Sequence, residues 1–446
     1  MIAQRLAVFL DRRGIHYAWV IAAVTFITAL TTAGAVGIPG ALILPLSREF
    51  GWDTAEISSA LALRLLLFGL MAPFAAALME RYGLRRIVLM AVALIVTGLV
   101  GALAMDRVWQ LILTWGVAVG TGTGMTAIVL SAVVANRWFA VRRGLVLGVL
   151  TASTATGQLV FLPLAAALAE DWGWRWALAP PVAALVLVAL LVALFLRDRP
   201  SELGLGLYGE PKPVGGPVPA PIAVSSGGVL PVAAIARAFA VLVEASAHPV
   251  FWILFATFFI CGFSTSGLIQ THFIPLCADY GMAPVAAASV LALMGLFDVV
   301  GTIGSGWLSD RYDARKLLFW YYALRGLSLL YLPSSTFTIY GLSLFAVFYG
   351  LDWIATVPPT IRIAAAHFGR ERAGIVFGWV FAGHQIGAAA AAYGAGLSRT
   401  LAGTYLPAFY IAGAACLVAA LLVLAARPRG PTVPPVEPAV EPARAT

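Results

Sequence analysis

The chain has few charged residues and few residues of the kinds that form disulfides or metal sites. Charged residues make up 11% of the sequence, whereas ordinary soluble domains carry about 25%. Such a chain cannot cover a soluble surface, which excludes an ordinary soluble domain. The 3 cysteines are odd in number, lie in or beside apolar runs and have no metal-ligand spacing, so they indicate no disulfide framework and no metal site.

Motifs of soluble catalysis are also missing. The sequence has no glycine-rich phosphate loop ending in Lys and Ser or Thr, and no metal-binding His/Glu spacing. We therefore expect no enzymatic activity, no cofactor and no direct ATP hydrolysis. A membrane receptor that signals through its loops is an alternative, which the short central linker without a recognisable domain disfavours.

Hydrophobic residues, in contrast, make up 61% of the chain. A helix that crosses a bilayer needs roughly 20 mostly apolar residues. Stretches of this kind predict an all-α membrane protein with twelve transmembrane helices. They cover residues 16–40, 54–79, 86–105, 108–135, 144–168, 174–196, 248–276, 284–308, 315–333, 336–362, 373–397 and 404–426.

The net charge of +8 follows the predicted topology. Arginine and lysine concentrate in the segments that share a side with the N-terminus, and the other side has only Arg48, Arg107, Arg175 and Arg399. This asymmetry orients helices during insertion. It predicts a multi-pass cell-membrane protein, such as one of a bacterial inner membrane, with both termini cytoplasmic. Because topology explains the basic charge, no nucleic-acid partner is expected.

The second half of the chain repeats the first at a spacing of 230 residues. Glu80, Arg81, Gly120 and Arg142 reappear as Asp310, Arg311, Gly350 and Arg372. Two parallel copies of a membrane-spanning unit place a binding site between them near the bilayer midplane. The sequence thus predicts two parallel six-helix bundles.

The predicted divisions of the chain follow from this repeat. The N-terminal bundle covers residues 1–199, a cytoplasmic linker 200–247, the C-terminal bundle 248–426 and a disordered tail 427–446. The linker is rich in Pro and Gly over 200–230, which predicts flexibility, and 231–247 is amphipathic, which predicts a helix along the membrane surface.

Two motifs resemble a known family. Gly306-Trp-Leu-Ser-Asp310-Arg311, followed by Arg315-Lys316, and the related run from Leu78 to Arg86 are similar to the signature loop of the major facilitator superfamily. Asn136-Arg-Trp-Phe139, followed by Arg142, resembles its monocarboxylate and oxalate:formate branch. That branch tends to place Arg four residues after an Asp of the eighth helix, whereas Thr302 follows Asp298 here. The resemblance implies the major facilitator fold, in which the first, fourth, seventh and tenth helices line the cavity.

The charged residues of the signature loops are candidates for a gate. An acid beside the N-terminus of a facing helix is stabilised by the helix dipole, and nearby arginines can bridge to the other bundle. The alternative is that the arginines only set topology, although that leaves the repeated acid unexplained. The predicted gate consists of Glu80, Arg81, Arg85, Arg142, Asp310, Arg311, Arg315 and Arg372.

Four ionisable residues lie well inside spans: Arg64, Asp298, Arg325 and Asp352. Charges there are costly and indicate function by default. We expect Arg325 to pair with Asp298 or Asp352. If a substrate anion competes for the arginine, the released carboxylate takes up a proton, so Asp352, and secondarily Asp298, are predicted proton-coupling residues. The alternative is a static pair that fixes helix packing.

Other polar residues inside spans are predicted to face substrate. Arg64 is either a clamp for a substrate carboxylate or a side chain that reaches toward the membrane interface. His384, Gln270 and Thr32 are further predicted substrate contacts, with satisfied core hydrogen bonding as the alternative for the histidine. Pro358-Pro359 must interrupt the tenth helix, because both residues lack the amide donor.

Together these features predict a secondary active transporter that works by alternating access. The predicted substrates are small organic anions resembling monocarboxylates, coupled to protons or exchanged, and the predicted partners are the lipid bilayer, the substrate and protons, with the chain a monomer. The alternative substrate class is exported amphipathic drugs or metabolites, which an aromatic cavity formed by Trp115, Tyr349, Trp353 and Trp379 would favour.

Overall fold

The computed structural model describes residues 2–126, 128–210 and 231–426. Within these residues, 11 helical segments are long and apolar enough to cross a membrane. The remaining predicted span is the ninth, helix Ala314–Tyr331, whose 18 residues include Arg315, Lys316 and Arg325 and are therefore less apolar. The all-helical membrane fold is confirmed. The predicted tail 427–446 and the central linker residues 211–230 lie outside the described residues.

Several spans consist of more than one helical segment. The N-terminal bundle contains Ala18–Gly37 with Pro39–Phe50, Thr54–Tyr82, Leu84–Ala102, Val108–Leu111 with Ile112–Val119, Gly120–Thr126 and Ile128–Trp138, Arg143–Asp171, and Trp174–Ala177 with Ala179–Phe195. The C-terminal bundle contains Pro249–Gly262 with Phe263–Ile269 and Gln270–Asp279, Pro284–Ser309, Ala314–Tyr331, Ile339–Asp352 with Val357–Phe368, Arg370–Ala402, and Leu406–Leu424.

The 230-residue repeat is visible in how the glycines pack. A Cβ at Gly120 would lie 2.9 Å from the Cα of Arg64, and a Cβ at Gly350 would lie 2.9 Å from the Cα of Met294. Met294 corresponds to Arg64 in the repeat, because the two positions are 230 residues apart. The fourth span therefore packs against the second in the same way as the tenth packs against the eighth. Gly124 continues this close approach, because its Cβ would lie 2.8 Å from the carbonyl oxygen of Phe68.

The first, fourth, seventh and tenth spans all depart from a regular α-helix. The first is divided at Ile38, before Pro39, and the tenth has a gap over Trp353–Thr356. The fourth and seventh contain π-helical segments, Ile112–Val119 and Phe263–Ile269. Breaks in the tenth span are expected from Pro358-Pro359, which deprive the carbonyls of Ile354 and Ala355 of their usual helical donors. The π-helical turns of the fourth and seventh spans are of a kind that occurs frequently at functional sites.

The two bundles contact each other toward one end and at mid-span, where a Cβ at Gly69 would overlap the Gln385 side chain. We call the end that carries Arg81, Arg142 and Arg311 the arginine-rich side and the other end the opposite side. On the opposite side the backbone N–H of Ala55 donates to the Thr400 hydroxyl at 3.2 Å, and a Cβ at Gly40 would lie 2.6 Å from the Gln270 carbonyl oxygen. Toward the arginine-rich ends of the eighth and eleventh spans, a Cβ at Gly304, Gly374 or Gly378 would meet nothing within 4 Å.

Two segments outside the spans differ from the sequence-based expectation. Residues 200–210, expected to be part of a flexible linker, dock on the N-terminal bundle. Tyr208 forms an isolated parallel bridge with Phe139, and its ring packs 5.5 Å from that of Trp19. An amphipathic helix, Ile2–Asp11, precedes the first span and was not predicted. Aromatic packing, which composition does not reveal, orders the start of the linker.

The linker helix Pro231–Ser246 lies on the arginine-rich side. Its Ala238 carbonyl accepts a hydrogen bond from the Trp379 indole at 3.0 Å, and its Glu244 pairs with Arg372. It also contacts the second span, so it touches both bundles.

We predict that Gly120→Ala and Gly350→Ala each lower the free energy of unfolding by roughly 1–3 kcal/mol, because the added methyl group forces apart two closely packed spans. Gly304→Ala is the matched control, since the methyl group there meets open space. Thermal unfolding of the purified variants in detergent measures the difference. Equal melting temperatures for all three variants would contradict this account of the repeat.

Candidate functional site

The charged residues of the C-terminal bundle converge on the break in the tenth span. The Arg325 Nε atom lies 2.5 Å from Oδ2 of Asp352, and its Nη2 donates to the Asp352 carbonyl oxygen at 2.5 Å and the Trp353 carbonyl oxygen at 3.3 Å. Arg325 is 1% exposed and Asp352 is 6% exposed. Arg325 is therefore the partner of Asp352, and it also satisfies carbonyl groups that the broken helix leaves free.

Asp298 and Ser305 of the eighth span complete this arrangement. Oδ1 of Asp298 accepts the backbone N–H of Ile354 at 2.9 Å and the hydroxyl of Thr302 at 3.0 Å. The Ser305 hydroxyl donates to the Ala355 carbonyl oxygen at 2.5 Å. Thr302, at the position where the resemblance implies arginine, thus holds the Asp298 carboxylate in place. One guanidinium and two carboxyl groups surround the break.

A thiol links this cluster to the seventh and eleventh spans. The Nη1 atom of Arg325 donates to the Cys261 sulfur at 3.0 Å, and the Thr356 hydroxyl lies 3.5 Å from the same sulfur. The His384 ring lies beside Cys261, and its Nε2 is 3.5 Å from the Thr265 hydroxyl. In the part of the chain that the structure describes, the buried Oδ1 of Asp352 has no hydrogen-bond partner. Cys261 therefore connects His384 to the Arg325–Asp352 pair. The sequence alone did not single out this cysteine.

Arg64 of the N-terminal bundle is buried, and the described residues give it no carboxylate partner. It is 2% exposed, so it does not reach the membrane interface. Its Nη1 donates to the Val36 carbonyl oxygen at 2.9 Å, just before the break in the first span. Across the described ranges no ion pair includes Arg64, and its buried Nε lacks a hydrogen-bond partner.

The other predicted substrate contacts are dispersed around the bundle interface. The Thr32 hydroxyl donates to Ala29 of its own helix at 3.1 Å. Gln270 is 6% exposed, at the contact between the first and seventh spans. The ring of His384 stacks on that of Phe381 at 5.5 Å. The structure therefore unites Arg325, Asp352, Asp298 and His384, but not Thr32.

The gate residues lie at the arginine-rich side, and the contacts that the structure describes for them are with groups outside the facing bundle. Arg85 donates to the Ala193 carbonyl oxygen at 2.5 Å, and the Arg311 guanidinium lies 4.1 Å from the Trp307 ring centroid. Arg315 pairs with Asp313 at 2.7 Å, and this hydrogen bond lowers the pKa of Asp313. The remaining predicted gate residues, Glu80, Arg81, Arg142 and Asp310, are exposed, as is Arg372, which pairs with the linker helix.

The predicted aromatic cavity does not form. Trp115 packs in the core of the N-terminal bundle, Tyr349 and Trp353 pack with each other at 5.7 Å between centroids, and Trp379 packs near the linker helix. These aromatic residues belong to three separate apolar clusters. The shared cavity that would have favoured exported amphipathic substrates is thus absent at these four residues, because each packs against the neighbours of its own cluster.

Comparison with known proteins agrees with this architecture. The family model of the Major Facilitator Superfamily matches residues 24–392 and 279–446. An uncharacterized MFS-type transporter, YcxA of Bacillus subtilis (strain 168), is 24% identical over 371 residues, covering 82% of this chain and 84% of that protein. Monocarboxylate transporter 13 of Rattus norvegicus is 26% identical over 407 residues, covering 89% and 86%. The partially occluded inward open conformation of the xylose transporter XylE from E. coli aligns with a TM-score of 0.67 at 13% identity, covering 93% of this chain and 100% of that one.

We predict that Arg325→Leu destabilises the protein by roughly 3–5 kcal/mol, because it leaves a buried carboxylate without its partner. Adding Asp352→Asn to this variant should recover part of the loss, since the amide has no charge to neutralise. Thermal unfolding of the single and double variants measures both effects. An Arg325→Leu protein as stable as the parent would show that the pair does not hold the broken span together.

Proposed function

Because the chain belongs to the Major Facilitator Superfamily, and is thus a membrane transporter, we propose that its substrates are small organic anions of the monocarboxylate kind. Transport is coupled to protons or proceeds by exchange. The observation that carries this proposal is the buried guanidinium of Arg64, for which the described residues supply no counter-charge.

A buried arginine without an acid is costly. Insertion scales assign about 2.5–3.5 kcal/mol to an arginine at the centre of a membrane helix. The hydrogen bond to Val36 satisfies one donor, but Nε remains free. A substrate carboxylate would supply both the missing charge and a planar acceptor for the guanidinium. We therefore assign Arg64 as the residue that binds the anion.

The buried charged residues of the C-terminal bundle include one more acid than base. Asp352 and Asp298 lie around the single guanidinium of Arg325. When both carboxyl groups are ionised, one negative charge has no counter-charge, and a proton can neutralise it. Oδ1 of Asp352, which lacks a partner in the described structure, is the proposed position of that proton. One anion at Arg64 and one proton at Asp352 would leave both of these buried sites neutral.

In this scheme Arg325 does not bind the substrate anion, although the sequence suggested that an anion competes for it. Its donors contact Asp352, Trp353 and Cys261, and it is 1% exposed. These donors are thus already taken, whereas Nε of Arg64 has no hydrogen-bond partner among the described residues. We propose that Arg325 positions Asp352, while His384 and Gln270, nearer the bundle interface, contact the substrate.

Alternating access follows from the contacts between the bundles. We propose that this conformation is open to the cytoplasm, because the bundles are packed on the opposite side and the gate arginines contact groups outside the facing bundle. In the outward-open state Glu80 and Asp310 would meet the facing bundle. Contacts that differ between two states are what bias such an equilibrium.

The similarity to Monocarboxylate transporter 13 of Rattus norvegicus over 407 residues is consistent with an anionic substrate. The solved xylose transporter supports the fold alone, since its identity to this chain is 13%.

We predict that Arg64→Gln reduces uptake of short carboxylates by at least about tenfold, because one charge-assisted interaction is worth roughly 1.5–3 kcal/mol. The measurement is uptake of radiolabelled mono- and dicarboxylates into proteoliposomes that contain the parent or the variant. A carboxylate that is bound should also raise the melting temperature of the parent but not of Arg64→Gln.

The matched control is Arg237→Gln, which removes an exposed arginine from the linker helix and should transport normally. Undiminished carboxylate uptake by a folded Arg64→Gln protein would rule out Arg64 as the anion site. If the folded parent transports none of the carboxylates, the organic-anion assignment fails.

We predict that Asp352→Asn abolishes accumulation driven by an inward-acid gradient while exchange of labelled for unlabelled substrate continues, because the amide cannot take up a proton. Uptake by the parent should fall as the external solution is made alkaline. Asp279→Asn is the control, since this carboxylate pairs with Arg399 on the opposite side, outside the cluster. Proton-driven accumulation that survives in Asp352→Asn would exclude this carboxyl as the coupling site.

A further inference from the structure

A cavity of about 540 Å³ opens on the arginine-rich side, within the N-terminal bundle. It lies where the second span ends, the third span begins, and the fourth and sixth spans reach the same surface. Five guanidinium groups line it, from Arg81, Arg85, Arg86, Arg137 and Arg199. Its volume is in the range of small-ligand sites, and its position separates it from the midplane residues of the proposed transport site.

Two of the three carboxylates of this cavity already bind backbone groups. Oδ1 of Asp198 accepts the backbone N–H of Arg85 at 2.8 Å, in the first turn of the third span. Glu202 accepts the backbone N–H groups of Asp198 and Arg199, and burial raises its pKa. Glu80, the third acid of the lining, is exposed.

Three of the five guanidinium groups contact backbone carbonyls or an aromatic ring. Arg85 donates to the Ala193 carbonyl oxygen, and Arg137 to the Met79 carbonyl oxygen at 3.3 Å. Arg81 lies 5.1 Å from the ring centroid of its neighbour Tyr82. Over the described residues, no ion pair joins any arginine of this cavity to a carboxylate. Glu80 and Asp198 attract the Arg137 guanidinium electrostatically without direct contact. The cavity thus has five cationic and three anionic side chains, and its cations are not neutralised by contact.

We propose that this cavity binds a phosphate-bearing anion. Guanidinium forks match phosphate oxygens in geometry and charge, and the cavity has two more cationic than anionic side chains. The phosphate group can belong to a soluble phosphate compound or to the head group of an anionic lipid. Basic pockets between the cytoplasmic ends of transmembrane helices bind such head groups.

Occupancy of the cavity would also affect transport. Arg81 and Arg85 belong both to the cavity and to the proposed gate. A bound anion would keep these two arginines within the N-terminal bundle and so favour the conformation in which the arginine-rich side is open. The site is therefore regulatory rather than part of the substrate path.

Pyrophosphate is the soluble probe, added to the purified full chain in phosphatidylcholine nanodiscs at constant ionic strength. The variant is Arg86→Gln with Arg199→Gln, because both side chains are exposed and lie outside the proposed gate and transport site. We expect a saturable rise in the melting temperature of the parent, with a half-saturating concentration at least about tenfold higher in the double variant. Arg237→Gln, an exposed arginine outside the cavity, should respond like the parent.

Nanodiscs of phosphatidylglycerol separate the two sources of phosphate. If lipid head groups occupy the cavity, phosphatidylglycerol raises the melting temperature of the parent more than that of the double variant and weakens the pyrophosphate response. If soluble compounds occupy it, only pyrophosphate distinguishes the two proteins. Parent and double variant that respond equally to both probes, or to neither, would overturn the proposal.

Two further controls protect this conclusion. Arg86→Gln alone replaces the double variant if the latter does not fold, with a smaller loss of affinity expected. Arg64→Gln should keep the full pyrophosphate response, so a failure of the proposed anion transport leaves this test unaffected.

Discussion

The constraint on which the C-terminal bundle depends is that a broken helix inside a membrane must have its free backbone groups satisfied by the protein. Pro358 and Pro359 remove two amide donors from the tenth span. Arg325, Asp298 and Ser305 bind the backbone exposed at the break. The buried charges and the prolines are therefore one structural unit, and a change in either alone leaves polar groups unpaired in an apolar setting.

This unit explains how a residue can have both a structural and a coupling role. Arg325 makes two kinds of hydrogen bond, to the Asp352 carboxylate and to backbone carbonyls. The carbonyl bonds do not depend on the charge of Asp352, so protonation of that carboxyl need not unfold the break. A static pair and a coupling site, which the sequence presents as alternatives, are compatible in this geometry.

The two bundles share their packing but differ in their charges. Gly120 and Gly350 hold corresponding spans equally close, yet the residue facing Gly120 is Arg64 and the residue facing Gly350 is Met294. In the proposed transport scheme the anion-binding arginine therefore belongs to one bundle and the proton-binding carboxyl to the other. This asymmetry is what the proposed transport of an anion together with a proton requires.

Sequence alone determined the class of fold, since hydrophobic length, the 230-residue repeat and the signature loops depend on composition and spacing along the chain. It also identified the four charges inside the membrane and the break at Pro358-Pro359, because charge and missing amides are local properties. Tertiary structure alone decided that Arg325 pairs with Asp352, that Cys261 and Ser305 join them and that Arg64 has no acid beside it in the described part of the chain. It also separated the four aromatic residues that composition had suggested as one cavity. These outcomes depend on which helix faces meet across the bundle, and no pattern within a single span specifies that.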